Sequence, residues 1–261
     1  MPELPDVETF RRYLQSTALH ETVRTVTVSE PRVLENVSAP GLRRALAGRP
    51  FERTRRQGKV LFVACGEARW LALHFGMTGR LAYYRDPDAA PDHPRVVFAL
   101  TNGYHLAFDC SRMLGRMWLL KDCDAFLRAH EIGPDALRIE ADAFVDAVRA
   151  YRGGLKSFLM NQARLAGVGN VYADEALFQA RRDPTERASA LDDRAARRLH
   201  RVVQRVLTTA VERNAERERL PRTWITPRRG GDDPACPRGC GTLQTKQVNG
   251  RTTWWCPSCQ G

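Results

Sequence analysis

The 261-residue sequence predicts an α+β protein with an N-terminal β-sandwich, a helical region and a small metal-binding hairpin. Three observations predict this fold class. Short apolar runs separated by turn signals fill residues 22–120, helical periodicity begins after Cys123, and four cysteines cluster near the end. The period changes near residues 132–134. The predicted divisions are a sandwich domain at 1–133, a helical domain at 134–213, a linker at 214–233 and a finger at 234–261.

The N-terminal half contains the patterns of short strands. β-Branched and aromatic residues dominate five runs, and Asn102-Gly103 between two of them is a strong signal for a tight turn. The predicted strands span residues 23–28, 59–65, 70–75, 96–101 and 104–109. This spacing is typical of a β-sandwich.

Two helices can be predicted together with their starting points. The first begins near Pro5, which suits a first helical turn. Its buried stripe consists of Val7, Phe10 and Leu14. A longer helix can be capped by Asp192 and Asp193. Its apolar stripe consists of Ala196, Leu199, Val203, Val206 and Ala210.

The charge of the chain favours a polyanionic partner. It has 41 basic and 30 acidic residues, which gives a net charge of +11. Residues 51–85 hold seven basic and two acidic residues, residues 201–261 hold eleven and five, and residues 101–150 hold six and eight. Taken alone, either basic stretch could equally be an ordinary solvent-exposed face without a binding role. Together they favour two surfaces that face phosphate groups.

The chain carries no pattern typical of export or membrane insertion. Its first residues lack an apolar signal core, and no run approaches the ~20 apolar residues of a membrane helix. We therefore expect a cytoplasmic protein without a membrane partner.

Four of the seven cysteines form a metal-binding pattern. Three residues separate Cys236 from Cys240, and two separate Cys256 from Cys259. Four thiolates at this spacing can surround one zinc ion, and the metal replaces a core that so short a segment does not assemble alone. We expect one structural Zn²⁺. The remaining cysteines, at 65, 110 and 123, are predicted to be reduced fillers, because seven is an odd number for a disulfide framework.

A β-hairpin is predicted between the two cysteine pairs. Residues 243–248 and 251–255 flank Asn249-Gly250, the strongest two-residue hairpin signal. The segment is therefore predicted to be a zinc ribbon with Arg251 just past its tip. Many zinc ribbons serve only as structural clamps.

The first residues carry a candidate nucleophile. Removal of Met1 would expose the secondary amine of Pro2, and α-amino groups with a pKa of about 7.7 to 8.0 are partly unprotonated near neutral pH. Such an amine can attack an electrophilic carbon and form an iminium. Glu3 follows directly and could move protons as a general acid and base. Alternatively, Pro2 only permits the cleavage of Met1.

The Pro-Glu-Leu-Pro-acid pattern at residues 2–6 resembles the start of the formamidopyrimidine-DNA glycosylase and endonuclease VIII family of DNA repair enzymes. The resemblance covers nearly the whole chain through five separated motifs in family order. It implies that Pro2 is the nucleophile, that Glu3 carries protons, and that the helical region is a helix-two-turn-helix domain. It also implies a bacterial-type, nucleoid-associated monomer that binds double-stranded DNA containing a damaged base or an abasic site. The family usually has Glu where this chain has Asp6.

Two further motifs imply contacts with the DNA backbone through the same resemblance. Residues 166–175, Ala-Gly-Val-Gly-Asn-Val-Tyr-Ala-Asp-Glu, resemble the helix-two-turn-helix turn, in which Asn170 would contact the backbone. Glycine pairs also make many ordinary helix connections; here the pair allows a tight turn and close approach of the main chain. In the finger, Arg251 would grip phosphates beside the lesion. The first cysteine pair has one residue more between its members than is usual in the family.

Lysine is rare in this chain. Only four lysines, at 59, 121, 156 and 246, accompany thirty-seven arginines, either by chance or because these lysines have roles. The resemblance gives Lys59 a place in the catalytic set, binding phosphate near the lesion. It places Lys156 near the damaged base.

Two loops resemble the loops with which the family reads DNA. His-Phe-Gly-Met-Thr-Gly at residues 74–79 would place His74 against DNA and Met77 between base pairs as an apolar wedge, although a lone methionine is more often a core residue. In residues 110–115, Arg112 keeps the position that hydrogen-bonds the orphaned opposite base. Leu114 replaces a phenylalanine that stacks in the family.

The resemblance implies a base-excision repair enzyme that removes an oxidised base, of the formamidopyrimidine or 8-oxoguanine type, and cleaves the abasic site by β,δ-elimination. Oxidised pyrimidines stay open as substrates, because Leu114 does not stack and residues 214–233 are short for the loop that the purine enzymes close over the base. A non-catalytic zinc-ribbon DNA-binding protein is an alternative from another class. Such a protein would tolerate any residue at positions 2 and 3.

Overall fold

Two antiparallel sheets form the core of the N-terminal part of the chain. The computed structural model describes residues 1–66, 69–231 and 234–261. One compact unit comprises Met1–Pro2 and Asp6–His130, and a second comprises Glu3–Pro5 and Glu131–Gly261. Residues 232 and 233 of the predicted linker lie outside the described residues. The division into four domains stays a prediction.

The first unit is a β-sandwich, as predicted. Its strands are β1 (Val23–Val28), β2 (Phe51–Gln57), β3 (Val60–Cys65), β4 (Trp70–His74), β5 (Arg80–Tyr84), β6 (Pro94–Leu100), β7 (His105–Asp109) and β8 (Arg116–Leu120). They form two antiparallel sheets with the orders β1-β6-β7-β5 and β2-β3-β4-β8. The accompanying helices are α1 (Leu4–Thr17), α2 (Ala39–Leu46) and α3 (Cys123–Ala129).

Strand β3 shows how the sandwich is packed. Every residue of β3 is buried, because side chains on both of its faces meet apolar neighbours. On one face Leu61 and Val63 join the core between the sheets, where Phe51 meets Phe98 edge-on with ring centroids 5.6 Å apart. On the other face Phe62 packs edge-on against Phe126 of α3, with ring centroids 5.8 Å apart. A continuous apolar run is therefore the correct sequence pattern for this strand.

The second unit is built mainly from helices. They are α4 (Ala141–Arg149), α5 (Leu155–Met160), α6 (Asn170–Ala180), α7 (Asp193–Glu212) and α8 (Pro257–Gln260). The predicted cap of α7 is confirmed, since the carboxylate of Asp192 accepts a 2.7 Å hydrogen bond from the backbone N–H of Ala195. The predicted stripe of α7 is buried against α4 and α6. None of the helices in the described part of the chain combines the length and the hydropathy of a membrane-spanning segment.

The C-terminal finger contains the predicted hairpin, with β9 (Gln244–Val248) paired to β10 (Arg251–Trp255). Asn249 and Gly250 have φ angles of 50° and 69°, as a type I′ turn requires. Before the finger, residues 213–231 fold back on the helices around two short 3₁₀ turns, Arg217–Arg219 and Thr226–Arg228. Leu220, Trp224 and Ile225 of this segment are buried.

Candidate active site and nucleic-acid interface

The carboxylate of Glu3 is held at the N-terminus of α6. Its Oε2 atom accepts hydrogen bonds from the backbone N–H groups of Gly169 at 2.7 Å and Tyr172 at 3.2 Å, and Oε1 accepts one from Val171 at 2.8 Å. The first N–H groups of a helix have no partner within the helix. Gly169, at the capping position, has no side chain that could accept these hydrogen bonds. The carboxylate of Glu3, from another part of the chain, accepts them instead. Glu3 is 2% exposed.

Two glycines make room for this arrangement. A Cβ atom on Gly169 would lie 2.4 Å from Cδ of Glu3, and one on Gly167 would lie 2.5 Å from a methyl group of Leu4. Gly167 also has a φ of 116°, which side-chain-bearing residues rarely adopt. The glycine pair therefore allows a close approach to the main chain. The group that approaches is the N-terminal segment of the same chain.

Asn170 connects α6 to the finger. Its Nδ2 atom donates a 3.0 Å hydrogen bond to the carbonyl oxygen of Thr252, next to Arg251 in β10. Its Oδ1 atom is buried and finds no hydrogen-bond partner among the described residues. The contact with DNA predicted for Asn170 is untested, but the side chain lies at the predicted turn.

Lys156 lies inside the second unit. Its side chain is 1% exposed, and Nζ lies 2.7 Å from Oδ1 of the fully buried Asp174 and 2.6 Å from Oγ1 of Thr253. Asp174 also contacts the guanidinium of Arg229 and accepts a 2.9 Å hydrogen bond from the backbone N–H of Trp254. Burial lowers the pKa of Lys156 below its usual value, with a further lowering effect of Arg229 and an opposing effect of Asp174. The ammonium group thus belongs to an internal network that joins α5, α6 and β10.

Asp174 and Glu175 are two buried acids for which the sequence pattern predicts no role. Glu175 is also fully buried, and Oε2 accepts hydrogen bonds from the backbone N–H of Thr226 at 2.9 Å and from its hydroxyl at 2.7 Å. Gln179 donates to Oε1 at 2.8 Å. Asp174 and Glu175 are two adjacent carboxylates in a largely apolar segment. This pattern could have predicted a buried polar network, because buried acids require partners.

The four cysteines of the finger form a site for a metal ion. Their Sγ atoms lie within 4.8 Å of one another. The Sγ atom of Cys240 is 3.3 Å from that of Cys236 and 3.6 Å from that of Cys256, and 4.0 Å separates Cys236 from Cys259. Thiolates at about 2.3 Å from a tetrahedral zinc would be about 3.8 Å apart. The spacing therefore fits one tetrahedral ion, and the longer first cysteine pair does not prevent the cluster.

Lys246 attaches the hairpin to the loop that follows α6. Its Nζ atom lies 3.1 Å from both carboxylate oxygens of Asp183 and 3.6 Å from the ring centroid of Trp255. Arg251, by contrast, is exposed at the start of β10. It borders a cavity of about 220 Å³ that Lys156, Asn161 and Asn249 also line. A basic, open cavity beside the hairpin tip is suited to an anionic group.

In the first unit, Pro2 is half-buried and Lys59 occupies the turn between β2 and β3. His74 is paired with Val60, next to Lys59, and its Nδ1 atom accepts a 3.3 Å hydrogen bond from the backbone N–H of Gly76. Burial lowers the pKa of His74, and the charges of Lys59 and Arg116 lower it further. A neutral imidazole whose Nδ1 is an acceptor has its proton on Nε2, which can donate a hydrogen bond.

The two predicted DNA-reading loops pack against each other. A Cβ atom on Gly76 would lie 2.4 Å from the main-chain carbonyl of Leu114, and the hydroxyl of Thr78 accepts a 3.1 Å hydrogen bond from the backbone N–H of Arg112. Met77 and Leu114 are 40% and 45% exposed, which is unusual for large apolar side chains. Within the first unit, the packing of the two loops thus brings together three exposed residues, Met77, Leu114 and Arg112.

Two family models match the chain. The model of the formamidopyrimidine-DNA glycosylase N-terminal domain matches residues 1–117, and that of the H2TH domain of the same glycosylase matches residues 132–221. The chain is 37% identical over 274 residues to the formamidopyrimidine-DNA glycosylase of Geobacter metallireducens, with 100% of each chain covered. It is 36% identical over 284 residues to that of Thermus thermophilus, covering 100% of this chain and 99% of the relative.

Solved structures of similar proteins contain DNA. The chain resembles MutM in complex with DNA containing carbocyclic 8-oxo-G, with a TM-score of 0.89, 25% identity and 99% of each chain covered. It also resembles a mutant of Lactococcus lactis FPG in complex with DNA containing Fapy-dG, with a TM-score of 0.88, 26% identity and 99% of each chain covered.

Proposed function

This chain belongs to the formamidopyrimidine-DNA glycosylase family, and we propose that the amine of Pro2 carries its chemistry. The protein is a base-excision DNA repair enzyme, a glycosylase that also has abasic-site lyase activity. Its partner is double-stranded DNA with a damaged base or an abasic site, bound by a single protein chain. We place this activity at the bacterial nucleoid in the cytoplasm.

The fixed position of Glu3 is the observation that carries the proposal. The N–H groups of the capping residue Gly169 and of two residues in the first turn of α6 immobilise this carboxylate, and Pro2 is the residue directly before Glu3. A nucleophile works best when its reacting atom is held in place before the substrate arrives. Anchoring the adjacent residue restricts where the amine can lie.

The proposed reaction begins with attack of the Pro2 nitrogen on C1′ of the damaged nucleotide, after Met1 has been removed. The bond from C1′ to the base breaks, the base takes up a proton, and opening of the sugar ring leaves an iminium between Pro2 and C1′. Removal of a proton from C2′ expels the 3′ phosphate, and a second elimination expels the 5′ phosphate. Water then hydrolyses the iminium and releases Pro2. Glu3 is the proposed proton carrier for base departure.

The other residues in the proposal bind DNA. Lys59 and His74 would contact phosphates near the lesion, Met77 would fill the space left by the extruded nucleotide, and Arg112 would hydrogen-bond the opposite base. In the second unit, Asn170 and Arg251 would bind the backbone. Lys156 would act at the same surface through Asp174 and Thr253, to which its ammonium is bound.

The metal of the finger is proposed to be one structural Zn²⁺, held by Cys236, Cys240, Cys256 and Cys259. Four thiolates favour zinc, and the ion contributes the folding energy of the hairpin that carries Arg251. We also retain the proposed division into a catalytic domain at 1–133, a helix-two-turn-helix domain at 134–213, a linker at 214–233 and a finger at 234–261.

The proposed lesion class is the oxidised purine of the formamidopyrimidine or 8-oxoguanine type. Two observations favour oxidised pyrimidines as the second candidate. Residues 214–231 form no long loop, because Glu175 and Gln179 bind Thr226 and Thr223 of this segment. In addition, an aliphatic side chain, Leu114, takes the place of a stacking ring.

Borohydride trapping tests the proposal. The processed protein should form a covalent adduct with abasic DNA that maps to Pro2, because borohydride reduces the iminium to a stable amine. A variant whose N-terminus is blocked by an uncleaved tag should form none, and undiminished trapping by that variant would exclude Pro2 as the nucleophile. Duplexes that each carry one oxidised purine or one oxidised pyrimidine then identify the lesion class from the excision rates.

A further inference from the structure

Arg56 is an unusual arginine because its side chain is only 4% exposed. It lies at the end of β2, three residues before Lys59. Its Nε atom donates a 3.1 Å hydrogen bond to the carboxylate of Glu8 in α1, and its Nη1 atom donates another of 3.1 Å to the carbonyl oxygen of Gly58. The planar guanidinium thus connects the helix that follows Pro2 with the turn that carries Lys59.

The bond to Gly58 acts on the peptide group that precedes Lys59. Gln57 pairs with Val60, so Gly58 and Lys59 are the two central residues of a hairpin turn. Gly58 has a φ of 54° and Lys59 has no positive φ, as in a type II′ turn. The two common hairpin turns, types I′ and II′, differ in the orientation of the peptide group between the two central residues. Here that peptide group joins Gly58 to Lys59, and its oxygen is the Gly58 carbonyl oxygen. Holding this oxygen fixes the orientation of the main chain from which the Lys59 side chain extends.

Glu8 and Arg11 keep the guanidinium in place. Burial raises the pKa of Glu8, but hydrogen bonds and charges from Arg11 and Arg56 outweigh it, and the pKa lies below its usual value. Arg11 binds the same carboxylate at 2.6 Å. The cluster is therefore ionised, and Glu8 would keep a cationic partner if Arg56 were replaced.

We propose that Arg56 is a positioning residue for Lys59, fixing the turn so that the Lys59 ammonium meets a phosphate of the bound DNA. This inference rests on the proposed phosphate contact of Lys59. Arg56 itself touches protein groups and is not assigned a contact with DNA. Replacing Arg56 should therefore change DNA binding only while Lys59 is present, and this dependence on Lys59 can be measured.

The test is the salt dependence of binding to a duplex with a stable abasic-site analogue. Lys59→Met should make the slope of log affinity against log salt shallower by roughly 0.9, since one phosphate contact is lost. Arg56→Lys keeps the charge and should still make the slope shallower, because lysine lacks the guanidinium that binds Glu8 and the Gly58 carbonyl at once. In the Lys59→Met background, Arg56→Lys should change neither slope nor affinity further.

Arg55→Lys is the matched control. Arg55 is the adjacent arginine, its side chain is 37% exposed, and it pairs with Asp124 at 2.8 Å, so its replacement should leave the slope unchanged. Arg56→Gln is a second variant, used if Arg56→Lys melts at a lower temperature than Arg55→Lys. An Arg56 effect of equal size with and without Lys59, or no effect on the slope, overturns the inference alone. An unchanged slope in Lys59→Met overturns the phosphate contact of Lys59 and the inference with it, while trapping at Pro2 stands.

Discussion

The Nζ atom of Lys156 lies 2.7 Å from Oδ1 of Asp174, and both side chains are buried. Because this ammonium is engaged within the protein, we expect Lys156→Met to act through the finger. The substitution leaves Asp174 with Arg229 and the N–H of Trp254, so a loss of on the order of 1–3 kcal/mol in unfolding free energy is expected. DNA affinity should fall while the salt slope of binding stays constant. A slope shallower by roughly 0.9 would instead reveal a direct phosphate contact.

Glu3→Gln separates base removal from strand cleavage. If Glu3 carries protons for base departure, excision of a damaged base should fall by the roughly 10² to 10⁴-fold typical of general acid–base catalysis. On a pre-formed abasic site the base has already gone, so the variant should retain more of its cleavage rate there. Single-turnover rates on the two substrates make the comparison. Equal loss on both would assign Glu3 to elimination or to holding Pro2.

Gly169→Ala tests the same carboxylate without removing a reactive group. Gly169 has a φ of −124°, so alanine introduces no backbone strain, but its Cβ would lie 2.4 Å from Cδ of Glu3. Displacement of the carboxylate should lower excision by about tenfold or more, since misplacement by about 1 Å can cost roughly 10²-fold. Gly231→Ala is the control, because its Cβ would meet only the carbonyl oxygen of Arg228, at 3.5 Å. Full activity of Gly169→Ala would show that Glu3 need not be held at α6.

Arg251→Ala and removal of the metal should differ in their effects. The alanine variant should keep its metal and bind lesion DNA more weakly, with a salt slope shallower by roughly 0.9. Chelation should unfold the hairpin and abolish tight binding, because metal coordination is also the folding energy of the finger. Metal content and binding isotherms measured on the same samples distinguish the two. Unchanged affinity and slope in Arg251→Ala would reduce the finger to a structural clamp.

Glu175 should make stability depend on pH. Burial raises its pKa to about 7, against the lowering effect of bonds from Gln179 and Thr226. Between about pH 4.5 and pH 7 the folded state holds a proton that the unfolded state has lost, so stability falls as pH rises through this window. Glu175→Gln should remove this pH dependence. Relative to wild type, the free energy of unfolding of the variant should rise by on the order of 3 kcal/mol between pH 5 and pH 8. Denaturant melts at pH 5 and pH 8 provide the test, and a constant difference between variant and wild type contradicts it.

Leu114→Phe should strengthen binding to a duplex that contains an abasic-site analogue. Leu114 is 45% exposed, so a larger ring fits without repacking the core. Base–aromatic stacking contributes about 1–3 kcal/mol, which predicts roughly tenfold tighter binding or more. Met77→Ala should have the opposite effect. Affinities measured with each of the four opposite bases would also show whether Arg112 discriminates among them. No gain for Leu114→Phe would mean that this loop does not reach the base stack.

Local signals predicted the elements whose structure is decided locally. Asn249-Gly250 gives its type I′ turn and Asp192 caps α7, since both depend on a few adjacent residues. Strand β2, Phe51–Gln57, was missed because its arginines give it the pattern of a solvated segment, although Arg56 is buried by pairing with Glu8. Strands β5 and β8 and helix α2 were missed as well.

The hydrogen-bond partners of the site residues could not be predicted from the sequence. Glu3 binds N–H groups 166 to 169 residues away, and Lys156 binds Thr253 at a separation of 97. Nothing in either local pattern specifies such a partner, because tertiary packing brings the groups together. The resemblance to a family could name Pro2, Glu3 and Asn170, but it could not show which of their atoms are already engaged.

The long separation between Glu3 and its partners also sets an order of events during synthesis. Gly169, the nearest of them in the chain, is made 166 residues after Glu3, which takes roughly 10 to 30 s at about 5–20 residues per second. Throughout that interval the nascent N-terminus lacks its anchor and stays open to a methionine aminopeptidase. Maturation of the proposed nucleophile can therefore be complete before the ribosome has delivered the helix that fixes it.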